Sequence, residues 1–284
     1  MGEVSAAGYS NDTSPSSVRY YLMVDKESIT SDWVLTQSPV PMVSALMVYL
    51  SVVLGVGPRF MADRKPFDLK NIMRVYNLLQ ILYNAYVLSQ LFLTPGAIHY
   101  LVHHSCRLDD PDNIRNLRHT FLLYSWHYYV LKLLDLADTL FMVLRKKDSH
   151  ITFLHLYHHT AMVFFTWYSN RFIKAQQATI PAFINLMVHT IMYSYYFLAT
   201  FGPEMQKYLW WKRHLTKVQL GQFGLVIIYL WLLYQNDCDV SQDFNVIWII
   251  NVCVITAFFV NFYIQTYIVR PRHTHNNRLH HKTS

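Results

Sequence analysis

The chain has 284 residues, of which 53% are hydrophobic, 16% aromatic and only 14% charged, with a formal net charge of +7 and a mean hydropathy of +0.15. A soluble domain carries about 25% charged residues, so this composition excludes an ordinary soluble enzyme. The aromatic and β-branched content excludes disorder, and three cysteines are too few for a disulfide scaffold.

Residues 1–36 have neither a basic start nor an apolar run, so no signal peptide is expected there. They carry an Asn11-Asp12-Thr13 sequon, which makes Asn11 a glycosylation candidate. A helix crosses the hydrocarbon core in about 20 apolar residues. Stretches near 38–57, 75–94, 119–144, 152–170, 178–200, 217–236 and 246–268 meet that need. No strand alternation is sustained, which argues against a membrane barrel. The expected fold is all-α: a single domain over 1–284, polytopic, with seven transmembrane helices enclosing a catalytic cavity, and a basic tail over 269–284.

Most of the 24 Lys and Arg fall on one side of these spans, among them Arg59, Arg64, Lys65, Arg145, Lys146, Lys147, Lys207, Lys212 and Arg213. By the positive-inside rule that side is cytoplasmic, and the N-terminus is lumenal or extracellular. Cys106, after the second span, and Cys238, after the sixth, then share the opposite, oxidising side, and a Cys106–Cys238 disulfide is predicted. Cys253 lies inside the seventh span and reads as packing.

Ionisable groups within spans are costly and mark function. The third span carries Lys132, Asp135 and Asp138 at spacings of three, neighbours on one helix face. The fourth opens with His155, His158 and His159, at i, i+3 and i+4. The fifth adds Asn185, His189, Met192, Tyr193 and Tyr196, and the sixth Thr216, Gln219 and Gln222. At about 1.5 Å rise per residue, these groups fall in or near the cytoplasmic half of the bilayer and are candidates to line one cavity.

Histidine boxes also hold iron in membrane desaturases and hydroxylases, so a di-iron enzyme is the alternative reading. A second box at His99, His103 and His104 would lie on the lumenal side, across much of the ~30 Å core, whereas metal–nitrogen bonds are near ~2 Å. Those three histidines read instead as a solvated interfacial loop, and no metal centre is expected.

These motifs resemble the very-long-chain fatty acid elongases, the ELO condensing enzymes of the endoplasmic reticulum. The likeness runs from about Trp33 to Arg272. The loop Gly57 to Phe67 is similar to the family's loop after the first span. Lys132 to Thr139 resembles its Lys-x-x-Glu-x-x-Asp-Thr signature, and His155 to His159 its histidine box. Asn185 to Tyr196 and Thr216 to Phe223 match two further motifs. Asp135 departs from the pattern, one methylene shorter than the glutamate; Leu186 and Leu131 stand where serine is common.

The resemblance implies condensation of a long acyl-CoA with malonyl-CoA, giving a 3-ketoacyl-CoA two carbons longer, CO2 and CoA. No thiol lies near the polar cluster. An imidazole, with an unperturbed pKa of about 6.5, is the expected acyl acceptor. His158 is assigned that role, with His155 and His159 orienting it or exchanging protons; His189 as the nucleophile, or both histidines in sequence, is the alternative. His189 and Asn185 would stabilise the oxyanion or enolate. Asp135 and Asp138 would set histidine tautomers, with Lys132 as counter-ion. Tyr193, Tyr196, Gln219 and Gln222 are expected substrate contacts, and Arg145, Lys146, Lys147, Lys212 and Arg213 are candidates for the CoA phosphates. The acyl chain should pass Phe164, Phe165, Trp167 and Phe183. No cofactor is expected beyond the two CoA substrates. Membrane lipid and the reductases and dehydratase of the elongation cycle are the partners implied; a homo-oligomer stays open, and nucleic acid is not expected.

Overall fold

The computed structural model describes residues 33–104, 106, 115–173, 177–236, 238 and 242–269. Asn11, most of the N-terminal segment and the basic tail lie outside the described residues. Among those described, every regular element is helical. Helix α1 runs over Pro39–Met61, with a π-helical turn at Val52–Val56; α2 is Lys70–Leu93 and α3 Ala97–His104. Helix α4 is Arg115–Leu144, α5 is Phe153–Tyr168 continued by a π-turn at Ser169–Ile173, and α6 is Thr179–Ala199. The short α7 is Pro203–Gln206, α8 is Lys212–Gln235, and α9 is Gln242–Ile264 continued by a π-turn at Gln265–Val269.

Local chemistry sets several of these boundaries. Pro39 begins α1, where a missing N–H costs nothing. Thr152 caps α5 by accepting from the backbone N–H of His155. Thr94-Pro95-Gly96, with Gly96 at φ 77°, breaks the chain between α2 and α3, which are bent by 80° from one another.

Helices α1, α6, α8 and the stretch Phe244–Val269 are each long and apolar enough to cross a membrane, and α2 qualifies together with α3. The chain is a multi-pass membrane protein. Helices α4 and α5 are less apolar because they hold Lys132, Asp135, Asp138 and the histidine run, the groups that face neighbouring helices. Exposed Val48, Leu54, Leu225 and Ile250 instead form an apolar exterior, the inverse of a soluble protein's surface.

Alternate helix ends meet on one face, which carries many of the basic residues. There the Phe67 N–H donates to the Leu144 carbonyl at 3.1 Å. Arg74, near the start of α2, donates to Thr200 beyond the end of α6, and Arg213 of α8 donates to the Tyr263 hydroxyl of α9 at 3.0 Å. At the opposite ends of α3 and α8, Cys106 and Cys238 are joined in a disulfide.

Among the described residues, four apolar clusters hold the bundle. One joins α1, α4 and α5 around Met42, Tyr49, Tyr129 and Trp167. A second joins α2, α3, α4 and α6 around Val87, Tyr100, Phe121, Leu131 and Leu186. A third joins α8 and α9 around Leu230, Val252 and Ile255. The fourth gathers Met192, Tyr193 and Tyr195 of α6 with Leu209 and Leu215.

Two expectations shift. The 97–104 segment is a helix rather than an interfacial loop: Ala97, Tyr100 and Leu101, at helical spacing, are buried, and Tyr100 stacks on Phe121 at 5.4 Å. Helices α2 and α8 begin at Lys70 and Lys212, several residues before the apolar runs that mark their spans, because a helix need not end where the hydrocarbon does.

Gly57 sits at the close approach of α1 and α4. A Cβ there would lie 2.5 Å from the Val52 carbonyl oxygen and 2.8 Å from Val143 Cγ1. Gly57→Ala should therefore destabilise the protein by about 1–3 kcal/mol, the usual cost of overpacking. Thermal unfolding in detergent reads this, and an unchanged midpoint would show that the two helices separate there freely.

Candidate active site

The site is built from α2, α4, α5, α6, α8 and α9. At its centre is Lys132, 2% exposed. Its ammonium donates to Asp135 Oδ2 at 2.8 Å and to Asn185 Oδ1 at 3.0 Å, and lies 3.4 Å from His189 Nδ1. An ammonium only donates, so Nδ1 is the accepting nitrogen and the His189 proton sits on Nε2. The Asp135–His189 separation of 3.6 Å is too long for a hydrogen bond.

The second Asp135 oxygen, Oδ1, takes the Gln80 amide at 3.0 Å and the Tyr193 hydroxyl at 2.9 Å. That hydroxyl is also 2.8 Å from Asp138 Oδ2, so it links the two carboxylates. Asn185 Oδ1 accepts from both Lys132 and the Tyr128 hydroxyl, the latter at 2.9 Å. This leaves the Asn185 amide N–H groups as donors for a guest.

The three α5 histidines are held differently. His155 Nε2 is 2.8 Å from the Thr139 hydroxyl, which is itself 2.9 Å from the Tyr49 hydroxyl. This chain ties α5 to α4 and α1. The His155 ring packs on His159 with centroids 4.2 Å apart. His158 makes ring contacts with His159 and Phe259, and its ring nitrogens have no hydrogen-bond partner among the described residues. His158 is also the one of these three on the wall of a long cavity.

That cavity runs between α4, α5, α6, α8 and α9. On α5 it is lined by His158, Met162, Phe165, Thr166 and Ser169, a single helix face spanning about 16 Å at helical rise. On α9 the lining residues are Phe244, Trp248, Asn251, Val252 and Ile255, with the same spacing. Helix α6 adds Asn185, and α8 adds Gln222, Phe223 and Val226. His158, Asn185, Tyr128 and Gln222 thus give one polar region to a cavity whose remaining wall is mainly apolar. Among the four aromatic residues expected to guide an acyl chain, Phe165 lines the cavity. Phe164 is exposed, Trp167 is buried against α1 and Phe183 is buried with the α2–α4–α6 cluster.

The other candidates spread more widely. Tyr193 is fully buried in the carboxylate network, and Tyr196 is 39% exposed. Gln219 contacts Met192 Sδ at 3.6 Å. Arg145 donates to Met73 Sδ at 3.2 Å, and Lys146 to the Ala62 carbonyl at 3.0 Å. Lys147, Lys212 and Arg213 are exposed on the basic face. His99 and His103 lie on exposed positions of α3, their rings 4.4 Å apart. No group of three or more His, Cys, Asp or Glu able to hold a metal ion is present among the described residues.

Sequence reasoning passed over Gln80, Tyr128, Tyr49 and the α9 wall. A signal existed for Gln80: Asn77, Gln80 and Asn84 are buried polar residues at i, i+3 and i+7 of an otherwise apolar helix. For α9 the signal was slight: Asn251, buried and on the cavity wall, stands among mostly apolar positions that mark no face.

The chain matches the family model described as ELO, the GNS1/SUR4 family, over residues 34–275. It is 35% identical over 262 residues to "Very long chain fatty acid elongase 7" of Rattus norvegicus, covering 90% of this chain and 92% of that protein. It is 38% identical over 237 residues to "Very long chain fatty acid elongase 4" of Homo sapiens, covering 83% and 74% respectively. With "Very long chain fatty acid elongase 1" of Homo sapiens it shares 36% over 242 residues, covering 82% and 83%. A buried Lys–Asp–His network beside a long apolar cavity, in a chain matched to that extent, belongs to a member of the ELO (GNS1/SUR4) family.

Proposed function

We infer that this chain is a very-long-chain fatty acid elongase that condenses a long acyl-CoA with malonyl-CoA, releasing CO2 and CoA. The observation that carries the reading beyond family membership is the cavity itself. It joins His158 and Asn185 to a mainly apolar passage lined along faces of α5 and α9. We assign the acyl chain to that passage, toward the disulfide end, and the CoA groups to the basic face, which the distribution of Lys and Arg makes cytoplasmic. Helices α4 and α5 then also span the bilayer, with their polar groups turned inward, giving seven spans. The N-terminus is lumenal, the tail cytoplasmic, and the membrane that of the endoplasmic reticulum; the disulfide suits an oxidising lumen.

His158 is the proposed nucleophile. Its neutral imidazole attacks the thioester carbonyl and the carbon–sulfur bond breaks. CoA leaves with the imidazole proton, and an acyl-imidazole remains. The Asn185 amide and His189 Nε2–H would donate to the oxyanion. Malonyl-CoA then loses CO2, and the electron pair of the broken bond forms the new carbon–carbon bond to the acyl carbon. The imidazole departs and recovers one proton from solvent, so each turnover consumes one proton. Water would hydrolyse the acyl-imidazole, and the mainly apolar wall limits its access. His155, tied to Thr139, and His159, packed on it, hold the ring array; Tyr193 and Asp138 brace Asp135. Arg145, Lys146, Lys147, Lys212 and Arg213 remain candidates for the CoA phosphates, and Gln222, on the cavity wall, a candidate substrate contact. The reaction needs no cofactor beyond its substrates. The enzymes that reduce and dehydrate the 3-ketoacyl product are the natural partners.

Membranes holding the protein, given a panel of acyl-CoAs and labelled malonyl-CoA, should yield labelled 3-ketoacyl-CoA two carbons longer than the acceptor. An absence of product across chain lengths would overturn the reading.

A further inference from the structure

We propose that Gln80 is a positioning residue of this site, its amide clamping the Asp135 carboxylate from α2 so that Asp135 stays in register with Lys132 and His189. The inference rests on the elongase reading for its activity readout. Asp135 reaches from α4 on a single methylene and serves donors from three helices: Lys132 on its own helix, Tyr193 on α6 and Gln80 on α2. Gln80 is 2% exposed, and both its amide hydrogens are engaged. One goes to Asp135 Oδ1 and the other to the Tyr76 hydroxyl at 3.0 Å, which in turn donates to the Leu134 carbonyl at 3.1 Å. Those bonds set the amide with its nitrogen toward the carboxylate, because the reverse orientation would place two acceptors face to face. Helix α2 packs along α6 more extensively than any other helix pair, so the clamp is anchored to the helix that carries His189.

The geometry also explains how an aspartate serves where the resembling signature has glutamate. A carboxylate one methylene longer would be driven into the Gln80 amide and the Tyr193 hydroxyl, both already at hydrogen-bond distance. With aspartate, the space between α4 and α2 is filled by Gln80.

A double-mutant cycle tests this. Gln80→Leu should lower kcat about tenfold or more, the scale of a lost hydrogen bond to a charged group. KM for malonyl-CoA should stay within about twofold. Asp135→Glu should also lower kcat, through crowding. The double variant should be faster than either single variant, because removal of the amide makes room for the longer carboxylate. Additive losses, or a Gln80→Leu loss matched by the loss of folded protein, would overturn the proposal. Gln80→Met, unbranched and close in volume, replaces Gln80→Leu if the latter does not fold. The same cycle read in melting temperature is independent of the reaction. If wild-type protein condensed nothing, the elongase reading would fail, while non-additive melting shifts would still uphold the clamp and additive shifts reject it.

Discussion

Membranes carrying His158→Ala should form no measurable 3-ketoacyl-CoA, a fall of about 10³-fold or more, while the protein accumulates and melts as the wild type does. The separation of effects follows from how His158 is held. Its nitrogens have no hydrogen-bond partner among the described residues, so truncation removes ring contacts with His159 and Phe259 and leaves no buried group stranded. His155 differs: loss of its ring would remove one of the two hydrogen-bond partners of the Thr139 hydroxyl at the α1–α4–α5 junction and leave only Tyr49. Mass spectrometry of wild-type protein incubated with acyl-CoA alone should find the acyl group on the peptide containing His158. Near-normal activity in His158→Ala, or an acyl group on His189, would reject the assignment.

Lys132→Met should cost both stability and activity. The Lys132–Asp135 pair is almost wholly buried, and loss of the cation leaves the Asp135 carboxylate facing Asn185 Oδ1 without a charge partner. Removing one member of a buried pair costs about 3–5 kcal/mol. The double variant Lys132→Met with Asp135→Leu should regain most of the melting temperature, since an apolar replacement of both partners is often neutral, yet remain inactive. Thermal unfolding and condensation assays on the three proteins decide it. If the single variant melted like the wild type, or the double variant condensed malonyl-CoA, the pair would be dispensable.

The histidine run, the Lys132–Asp135–Asp138 face and the Asn185–His189 stripe were legible because an ionisable residue inside a twenty-residue apolar stretch has few structural excuses. Their mutual contact was not legible: three helices can turn their polar faces together or toward different neighbours with the same spacing. The choice of partners was equally hidden. Tyr193 reads as one more residue of a tyrosine stripe, and only packing shows that its hydroxyl lies between Asp135 and Asp138. Gln80 was visible as a polar residue in the second span, but nothing in its own helix says that it answers a short carboxylate on the third span.

The linear chain by itself determined the class of protein, its helical multi-pass character, where the basic residues cluster and which buried ionisable residues are candidates for the chemistry. Those properties depend on residue type and helical period, and both are local. Tertiary structure alone decided which histidine faces the cavity, which of four aromatic residues lines it, and that α9 supplies a wall. It also bent the 97–104 segment into a helix packed on α4. These depend on helix rotation and neighbour choice, which are set by apolar packing between segments far apart in the chain.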